Sequence, residues 1–166
     1  MRAGVALGSN LGDRLEHLRS ARTKIIKLPG ASEPFRFSPV YETDPIGCEP
    51  GAQKFFNAVM ELDYAGHAQE LLAALRAIEK SLGRDPTHRR SVSRTIDLDL
   101  LYLNNCTIDD ADLQLPHPRL HMRRFVLAPL ADIRPDVILP GQTKPIRALL
   151  NELADNSAVV RVADEW

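Results

Sequence analysis

The sequence predicts a mixed α/β domain of the α+β type, with the element order β-α-β-β-α-β and a mostly antiparallel sheet. Alternating apolar residues predict four strands, at residues 2–8, 33–43, 53–64 and 93–103. Apolar residues at helical spacing predict two helices, at residues 11–28 and 67–82. The length of 166 residues is typical of one domain, and no segment resembles a linker, so we expect a single domain over residues 1–166.

Turn and capping residues mark the ends of these elements. The first strand ends at Gly8, and Asn10 or Asp13 is the predicted N-cap of the helix that follows. The second helix is amphipathic and ends at Gly83, a suitable C-cap. Farther along, residues 144–154 predict another helix and residues 158–163 a last strand. The order of the first six elements is that of the ferredoxin-like fold.

Composition disfavours several classes of protein. The net charge of -1 does not favour a nucleic acid or a membrane surface as partner, and no segment has the length of a membrane span. The two cysteines, Cys48 and Cys106, are far apart and form no metal-binding or redox motif, which is typical of a reduced protein. We therefore expect a cytoplasmic protein without a nucleic-acid or membrane partner.

Two acidic residues interrupt the last of the four strands, which we expect to be central in the sheet. Asp97 and Asp99 share a face, and the alternation predicts that Leu101 and Leu103 continue it. The opposite face would carry Ile96, Leu98, Leu100 and Tyr102. A cation relieves the repulsion between adjacent carboxylates, and Mg²⁺ prefers carboxylate oxygens combined with water and phosphate oxygens. A solvent-facing polar surface is the alternative, although the two leucines argue against it.

Arginines lie on both sides of this strand. Four of them directly precede the acids: Arg84, Arg89, Arg90 and Arg94. Guanidinium groups match phosphate oxygens in bidentate fashion, so arginines beside a two-acid metal site suit a triphosphate. A second basic cluster follows His117 and consists of Arg119, Arg123 and Arg124. A solvated basic loop and a charged helix face are the alternatives for the two clusters.

Two further patterns indicate local structure rather than a site. The segment from Gly8 to Gly12 lacks both the GxGxxG spacing and the Lys-Ser/Thr ending of a phosphate-binding loop, so it indicates a tight turn. His117 and His121 are four apart, but the intervening Pro118 and the lack of a third ligand argue against zinc. His117 is instead a loop residue that either contacts a ligand or packs.

Six segments recur in a known order and spacing: GVALGSNLGD, VYETDPIG, KFFNAV, LLAALRAIEKSLGR, RTIDLDLL and LPHPRLHMRRFVLAPLADIRP. Together they resemble the 6-hydroxymethyl-7,8-dihydropterin pyrophosphokinase family of folate biosynthesis, over residues from about 4 to 140. The resemblance implies an ATP-dependent diphosphotransferase that transfers diphosphate from ATP to the hydroxymethyl group of the reduced pterin and releases AMP. It also implies two Mg²⁺ ions, a cytoplasmic location and a three-layer α-β-α form of the ferredoxin-like fold. We expect a monomer.

The resemblance also assigns site residues. It implies that Asp97 and Asp99 hold both metal ions and that Arg84 and Arg94 are catalytic. The pterin, its ring stacked between the two phenylalanines, would be bound by Thr43, Asp44, Ile46, Phe55, Asn57 and Phe125. ATP would be bound by Arg76, Arg90, Arg94, Leu100, His117, Pro118 and Arg123. The chain departs from its relatives at positions that bear on the ATP contacts: Arg76, Pro86, Ser91 and Val92.

The residue pattern agrees with part of this assignment. Phe55 and Asn57 share a strand face, so a ring can stack on a flat heterocycle where an amide binds its edge. Core packing is the alternative for Phe55 and Phe125. No strong general base is evident, which fits metal-assisted attack by the substrate hydroxyl, with residues 44–53 and 84–94 excluding water.

Two other functions are compatible with the same pattern. One is a different two-metal nucleotidyl or phosphoryl transferase, which would share the acids but need no ring-stacking pair. The other is a non-catalytic ferredoxin-like binding module for a nucleic acid or a metabolite. Acids on the sheet and a near-neutral net charge disfavour nucleic acid.

Overall fold

The structure is a computed structural model, and it describes residues 1–45, 49–84 and 93–166. The elements in chain order are β1 (Arg2–Ser9), α1 (Arg14–Ile26), β2 (Ala31–Phe37), β3 (Val40–Thr43), β4 (Phe55–Tyr64), α2 (Ala68–Ser81), β5 (Asp97–Leu103), β6 (Ile108–Asp109), β7 (Gln114–Leu115), α3 (Arg124–Ile133), α4 (Ile146–Glu152) and β8 (Val159–Ala163). A short 3-10 helix, Leu120–Met122, precedes α3. The predicted site residues Ile46 and Arg90 lie outside the described residues, as do Cys48, Pro86, Ser91 and Val92.

The main sheet has the strand order β5-β1-β4-β3-β8, and β2 also pairs with β4. Every strand pair in the described part of the chain is antiparallel. Helices α1 and α2 pack on one face of the sheet, and α3 packs on the other with α4 beside it. The predicted ferredoxin-like order and the three-layer α-β-α arrangement are therefore confirmed.

Strand alternation creates two hydrophobic cores, one on each side of the sheet. On β1, Val5 and Leu7 face α1 and α2 in the larger core. On β4, Val59 faces the opposite way and packs with Val126 and Leu130 of α3 in the smaller core. The small residues Gly4, Ala6 and Gly8 occupy the α3 face of β1, which leaves space on that side of the sheet.

The last predicted strand differs from the expectation in three ways. It begins at Asp97 rather than at residue 93, because the preceding residues hydrogen-bond to Asn10 instead of joining the regular ladder. It lies at the edge of the sheet and is not central. A β-bulge in β5 shifts the register: Leu100 pairs with Val5 and Tyr102 with Gly4, so Leu101 is the extra residue and the alternation breaks after it.

The bulge reassigns two side chains. Leu101 and Tyr102 both pack in the smaller core, on the face of the acids, whereas Leu103 packs in the larger core. The prediction that Leu103 continues the acid face and that Tyr102 lies opposite is therefore wrong. An extra residue on one strand inverts the inward and outward positions beyond it, and the alternation of one strand does not reveal such an insertion.

The remaining boundaries include one difference and one agreement. The segment at residues 33–43, predicted as one strand, is divided into β2 and β3, because Ser38 bonds to Val59 through its hydroxyl and main chain and not in a regular ladder. Asp13 is the N-cap of α1 and accepts a hydrogen bond from the Glu16 N–H. No helix in the described ranges has both the length and the apolar character of a membrane span.

Candidate functional site

Three neighbouring strands bring the predicted metal and pterin residues together. In the sheet, Gly8 of β1 lies directly opposite Asn57 of β4 on one side and Asp97 of β5 on the other. A β-carbon at Gly8 would lie 3.1 Å from Asn57 Oδ1 and 4.0 Å from Asp97 Cβ. Because Gly8 has no side chain, the sheet surface between Asn57 and Asp97 is open. We call this surface the floor at Gly8.

Both predicted metal ligands are partly exposed on this face and are paired with arginines. Asp97 Oδ1 lies 2.7 Å from Arg84 Nη1, and Asp97 Oδ2 lies 2.9 Å from Arg94 Nη1. Asp99 Oδ2 lies 3.3 Å from Arg123 Nη1. The side chains of Asp97 and Asp99 remain 27% and 36% exposed. The positive groups that border each acid are thus the arginines predicted from the sequence.

The acid pair has the donor chemistry of a magnesium site completed by other ligands. Within residues 1–45, 49–84 and 93–166, no cluster of three or more His, Cys, Asp or Glu side chains is arranged to hold a metal ion. Mg²⁺ is commonly bound by one or two carboxylates, with waters and substrate phosphates filling the other positions. Asp97 and Asp99 fit this pattern, since each presents an oxygen on the open side of the sheet where a polyanion can approach.

Glu79 of α2 is a buried acid that the sequence prediction missed. Its Oε1 accepts the Leu98 N–H at 2.7 Å and also pairs with Arg84. Burial raises the pKa of Glu79 to about 7, although the Leu98 N–H and Arg84 lower it. Since Arg84 also pairs with Asp97, Glu79 holds this arginine beside the first acid.

His117 lies beside the second acid. Its main-chain N–H donates to Leu101 O at 2.7 Å, which holds the loop against β5. Nδ1 accepts the Arg119 N–H, so the neutral ring carries its proton on Nε2, and Nε2 lies 3.9 Å from Asp99 Oδ2. Burial lowers the pKa of His117, and the nearby Arg123 lowers it further, while Asp99 opposes both. The ring therefore offers an N–H donor close to the acid pair at neutral pH.

The described residues predicted to bind the pterin lie on β3, β4, α3 and the segment after β3. Asn57 is buried and donates from Nδ2 to Thr43 Oγ1 at 2.7 Å, so its Oδ1 is directed to the open floor at Gly8. Phe55 shares the strand face of Asn57. Phe125, in the first turn of α3, packs against the smaller core, and the Arg123 guanidinium lies 5.5 Å from the centre of its ring. Asp44 is at the margin, paired with Lys54 at 3.1 Å.

The other described residues predicted to bind ATP differ in exposure: Leu100 is buried, whereas Pro118 and Arg76 are exposed. Leu100 is 3% exposed in the larger core, so only its main chain can contact a ligand on the acid face. Pro118 is exposed beside His117. Arg76 is exposed on α2, and its Nη2 donates to Asp112 O at 3.5 Å, in the segment between β6 and β7. Within the described part of the chain, no ion pair joins Arg76 to Asp97 or Asp99.

Signals for the missed residues can be identified in the sequence. Glu79 is four residues after Leu75 and three before Leu82, so it belongs to the apolar face of α2, where an acid needs a partner. From the sequence, Gly8 is the end of a strand, Asn10 is a candidate N-cap, and both belong to a tight turn. Their significance depends on the strands and segments beside them, which the turn pattern does not specify.

The sequence is similar to one family of known proteins over most of its length. The family model for 7,8-dihydro-6-hydroxymethylpterin-pyrophosphokinase (HPPK) matches residues 4–135. The 2-amino-4-hydroxy-6-hydroxymethyldihydropteridine pyrophosphokinase of Bacillus subtilis is 44% identical over 131 residues, covering 79% of this chain and 77% of the relative. The corresponding protein of Methylorubrum extorquens is 37% identical over 161 residues, covering 97% of this chain and 98% of the relative.

A solved structure supports the fold. The structure of wild-type Plasmodium falciparum HPPK-DHPS with pterin and p-hydroxybenzoate has a TM-score of 0.71 and 15% sequence identity over 91% of this chain. This chain spans only 42% of the length of that protein. At this level of identity the likeness concerns the fold alone.

Proposed function

The chain belongs to the 7,8-dihydro-6-hydroxymethylpterin-pyrophosphokinase family, and we propose that it transfers diphosphate from ATP to 6-hydroxymethyl-7,8-dihydropterin in folate biosynthesis. The hydroxymethyl oxygen attacks the β-phosphorus, and the bond between that phosphorus and the bridging oxygen to the α-phosphate breaks. The products are AMP and the pterin diphosphate, and the hydroxyl proton is released to solvent.

The observation that supports this function best is the alignment of Asn57, Gly8 and Asp97 across three strands. An amide that binds the edge of a flat ring lies one strand away from an acid that suits a metal-bound triphosphate. Gly8 leaves room between them for the substituent that reacts. Ligands bound in this way would have the acceptor hydroxyl next to the phosphate chain, and effective molarity from such positioning is a major part of phosphoryl-transfer catalysis.

We propose the following roles for the nucleotide side. Asp97 and Asp99 would hold two Mg²⁺ ions, which would supply charge neutralisation for the triphosphate and for the substrate hydroxyl. Arg84 and Arg94, which pair with Asp97 in this structure, would bind phosphate oxygens of the nucleotide. Arg123 and the Nε2–H of His117 bind phosphate oxygens beside Asp99, and the main chain of Leu100 contacts the nucleotide from the edge strand.

On the pterin side, Asn57 is the orienting group. Its Nδ2 donates a hydrogen bond to Thr43 Oγ1. Its Oδ1 would then accept a hydrogen bond from an N–H on the edge of the pterin. In this proposal Phe55 and Phe125 stack on the two faces of the pterin ring. Asp44, Ile46 and the ATP contacts of Arg76, Arg90 and Pro118 remain proposals that rest on the family resemblance.

The site is built from β1, β4, β5 and α3 of one chain, which supports a monomer as the active unit. We place the enzyme in the cytoplasm, where ATP is available and the free thiol of Cys106 meets a reducing environment. Its partners are two small molecules, and neither a nucleic acid nor a membrane takes part in the reaction.

A coupled assay tests the proposal. We expect AMP release from ATP and Mg²⁺ only when 6-hydroxymethyl-7,8-dihydropterin is present, with one pterin diphosphate formed per AMP. AMP release without the pterin would instead indicate a different phosphoryl or nucleotidyl transferase. Absence of Mg²⁺-dependent ATP binding would favour a non-catalytic binding module.

The acid pair provides the matched variants. We expect Asp97→Ala and Asp99→Ala each to lower kcat at least about 100-fold while retaining the far-ultraviolet circular dichroism of the wild type. Asp136→Ala is the control, since the Asp136 side chain is 70% exposed and pairs with Arg147 at the surface. A variant of either acid with wild-type turnover would remove that residue from the proposed centre.

A further inference from the structure

The segment at residues 153–159 joins α4 to β8, and none of its residues was predicted to take part in the site. Leu153, the C-cap of α4, packs against the smaller core together with residues of α3. At the other end, Val159 begins β8 and pairs with β3. The residues between these two anchors belong to neither a helix nor a strand. Contacts with neighbouring elements therefore set their position.

Arg124 holds the middle of this segment against the first turn of α3. Its Nη1 donates to Asp155 O at 3.4 Å. The Asp155 carboxylate accepts the Ser157 N–H at 2.8 Å, which closes a local turn. Hydrogen bonds from Ser157 lower the pKa of Asp155, and Arg124 acts in the same direction. Arg124 directly precedes Phe125, so the segment is attached next to a ring that we propose to stack on the pterin.

The strand register places the end of the segment beside another pterin residue. Val159 lies directly opposite Thr43, which lies opposite Phe55 of β4. Directly opposed residues of an antiparallel pair have their side chains on the same face, with β-carbons about 4.5–5.5 Å apart. Thr43 Oγ1 accepts from Asn57 Nδ2 on the face of the floor at Gly8, so the Val159 side chain lies on that face too. Phe55, Thr43 and Val159 thus form one row across three strands.

The next residue of β8 lies on the opposite face. Val159 is half-buried, whereas Val160 is 54% exposed. Val160 lies opposite Glu42, and Glu42 pairs with Arg14 of α1 on the far side of the sheet from α3. Two adjacent valines of one strand therefore differ in the face that they occupy, and Val159 is the one that shares the face of the pterin residues.

We propose that residues 153–159 form the outer wall of the pterin pocket, in which Val159 contacts the bound pterin and Arg124 is a positioning residue that holds the wall on α3. The proposal rests on the proposed function. Neighbouring strands are about 4.8 Å apart, so a ring that stacks on Phe55 and extends across Thr43 meets Val159 within about 10 Å of the Phe55 main chain. An apolar side chain there excludes water from the edge of the ring and adds buried apolar area to the complex.

Val159→Phe tests the wall with a side chain that is too large for it. We expect the KM for the pterin at saturating ATP to rise about tenfold, because the added ring occupies space at the edge of the pocket. Val159→Ala should raise the same KM about threefold through loss of apolar contact. The affinity for a non-hydrolysable ATP analogue with Mg²⁺, measured by titration calorimetry, should stay within about twofold of the wild type. Val160→Phe and Val160→Ala are the matched controls and should leave the pterin KM unchanged.

Arg124→Ala tests the positioning role, and it decides the question if the Val159 variants do not fold. We expect the pterin KM to rise about fivefold with little change in kcat, since the wall is loosened and the reacting groups are untouched. Arg124→Lys keeps a charged donor for Asp155 O and should restore most of the pterin affinity. A larger rise in the KM for ATP than in the KM for the pterin would overturn the positioning role, because Arg124 would then act as a phosphate ligand.

The outcomes are distinct from those of the activity test. A wild-type enzyme that releases AMP in a pterin-dependent manner, together with an unchanged pterin KM in both Val159→Phe and Arg124→Ala, would overturn this inference and leave the function standing. Equal changes in the Val159 and Val160 variants would also overturn it, because that result describes a general effect of substitutions in β8. A selective rise in the pterin KM of Val159→Phe and Arg124→Ala would support it.

Discussion

Glu79 shows how burial changes the chemistry of a single residue. Its carboxyl pKa is raised from 4.5 to about 7 by burial, so the folded protein holds a proton that the unfolded chain releases. Between about pH 4.5 and pH 7 the native state therefore binds more protons than the unfolded state. By linkage, this group makes the free energy of unfolding fall as pH rises through that window.

Glu79→Gln should remove this contribution. We expect the free energy of unfolding of the variant to fall less than that of the wild type as pH rises from about 4.5 to about 7. Urea titrations without metal or nucleotide measure the difference. Glu165→Gln, at an exposed position near the C-terminus, is the control and should keep the wild-type slope. Equal slopes for wild type and Glu79→Gln would contradict the assignment.

Gly8 provides a second test at the scale of one residue. Gly8→Ala adds a β-carbon 3.1 Å from Asn57 Oδ1, where we propose that the pterin binds. We expect the KM for the pterin to rise about tenfold, because displacing one hydrogen-bonding group costs about 1–2 kcal/mol. Affinity for the nucleotide analogue is the internal control, and it should be unchanged. Steady-state kinetics with an unaltered pterin KM would show that the floor is not part of the pocket.

At the scale of elements, the β-bulge in β5 determines which side chains of that strand face α3. The register shift brings Tyr102 onto the α3 face, where its hydroxyl donates to Glu61 Oε2 at 2.7 Å. The ring lies over Gly4 of β1, and a β-carbon there would overlap it. The ring of Tyr102 on β5 therefore fits against β1 because Gly4 has no side chain.

A double-mutant cycle tests this match. Gly4→Ala should lower the free energy of unfolding by about 1–3 kcal/mol, the usual cost of overpacking a core. In a Tyr102→Leu background the same substitution should cost clearly less, because the ring that it meets is gone. Chemical denaturation of the four proteins gives the interaction energy. An equal cost in both backgrounds would mean that the strain at Gly4 has another source.

The elements differ in how well their sequences predict them. Helix α2 and strand β4 were predicted within two residues at each end, because their apolar periods are long and unbroken. The segment at residues 33–43 was predicted as one strand and is two, because Ser38 interrupts the ladder by binding Val59 through its hydroxyl. Bulges and interruptions depend on the partner strand, so single-strand patterns do not predict them.

At the scale of the whole molecule, the C-terminal Trp166 packs against the sheet and α1. Trp166 is buried, and its Nε1–H donates to Ser38 O at 2.7 Å, between β2 and β3. Its ring meets Phe37 edge to face at 6.0 Å, and the Arg22 guanidinium of α1 lies 5.1 Å from it. The last residue of the chain thus joins a helix to the two strand segments that pair with β4.

Trp166→Ala should destabilise the fold by about 3 kcal/mol, as expected for a buried aromatic side chain replaced by Ala. Trp166→Phe is the matched control, since it keeps a ring and loses only the hydrogen bond, and it should cost about 1 kcal/mol. Circular dichroism in urea measures both, because the chain has a single tryptophan and the variants lose its fluorescence. Equal stabilities for Trp166→Ala and the wild type would show that this contact is dispensable.

The sequence alone determined the features that depend on neighbours along the chain. The spacing of two between Asp97 and Asp99 and between Phe55 and Asn57 sets each pair on one strand face, and helical periods defined α1 and α2. The tertiary structure decided which of these faces meet. The placement of Gly8 between Asn57 and Asp97, the burial of Glu79 and the partners of Asn10 all depend on register and on contacts between distant segments. Periodicity is a local property of the backbone, whereas register and the satisfaction of buried polar groups are determined by packing among segments far apart in the chain.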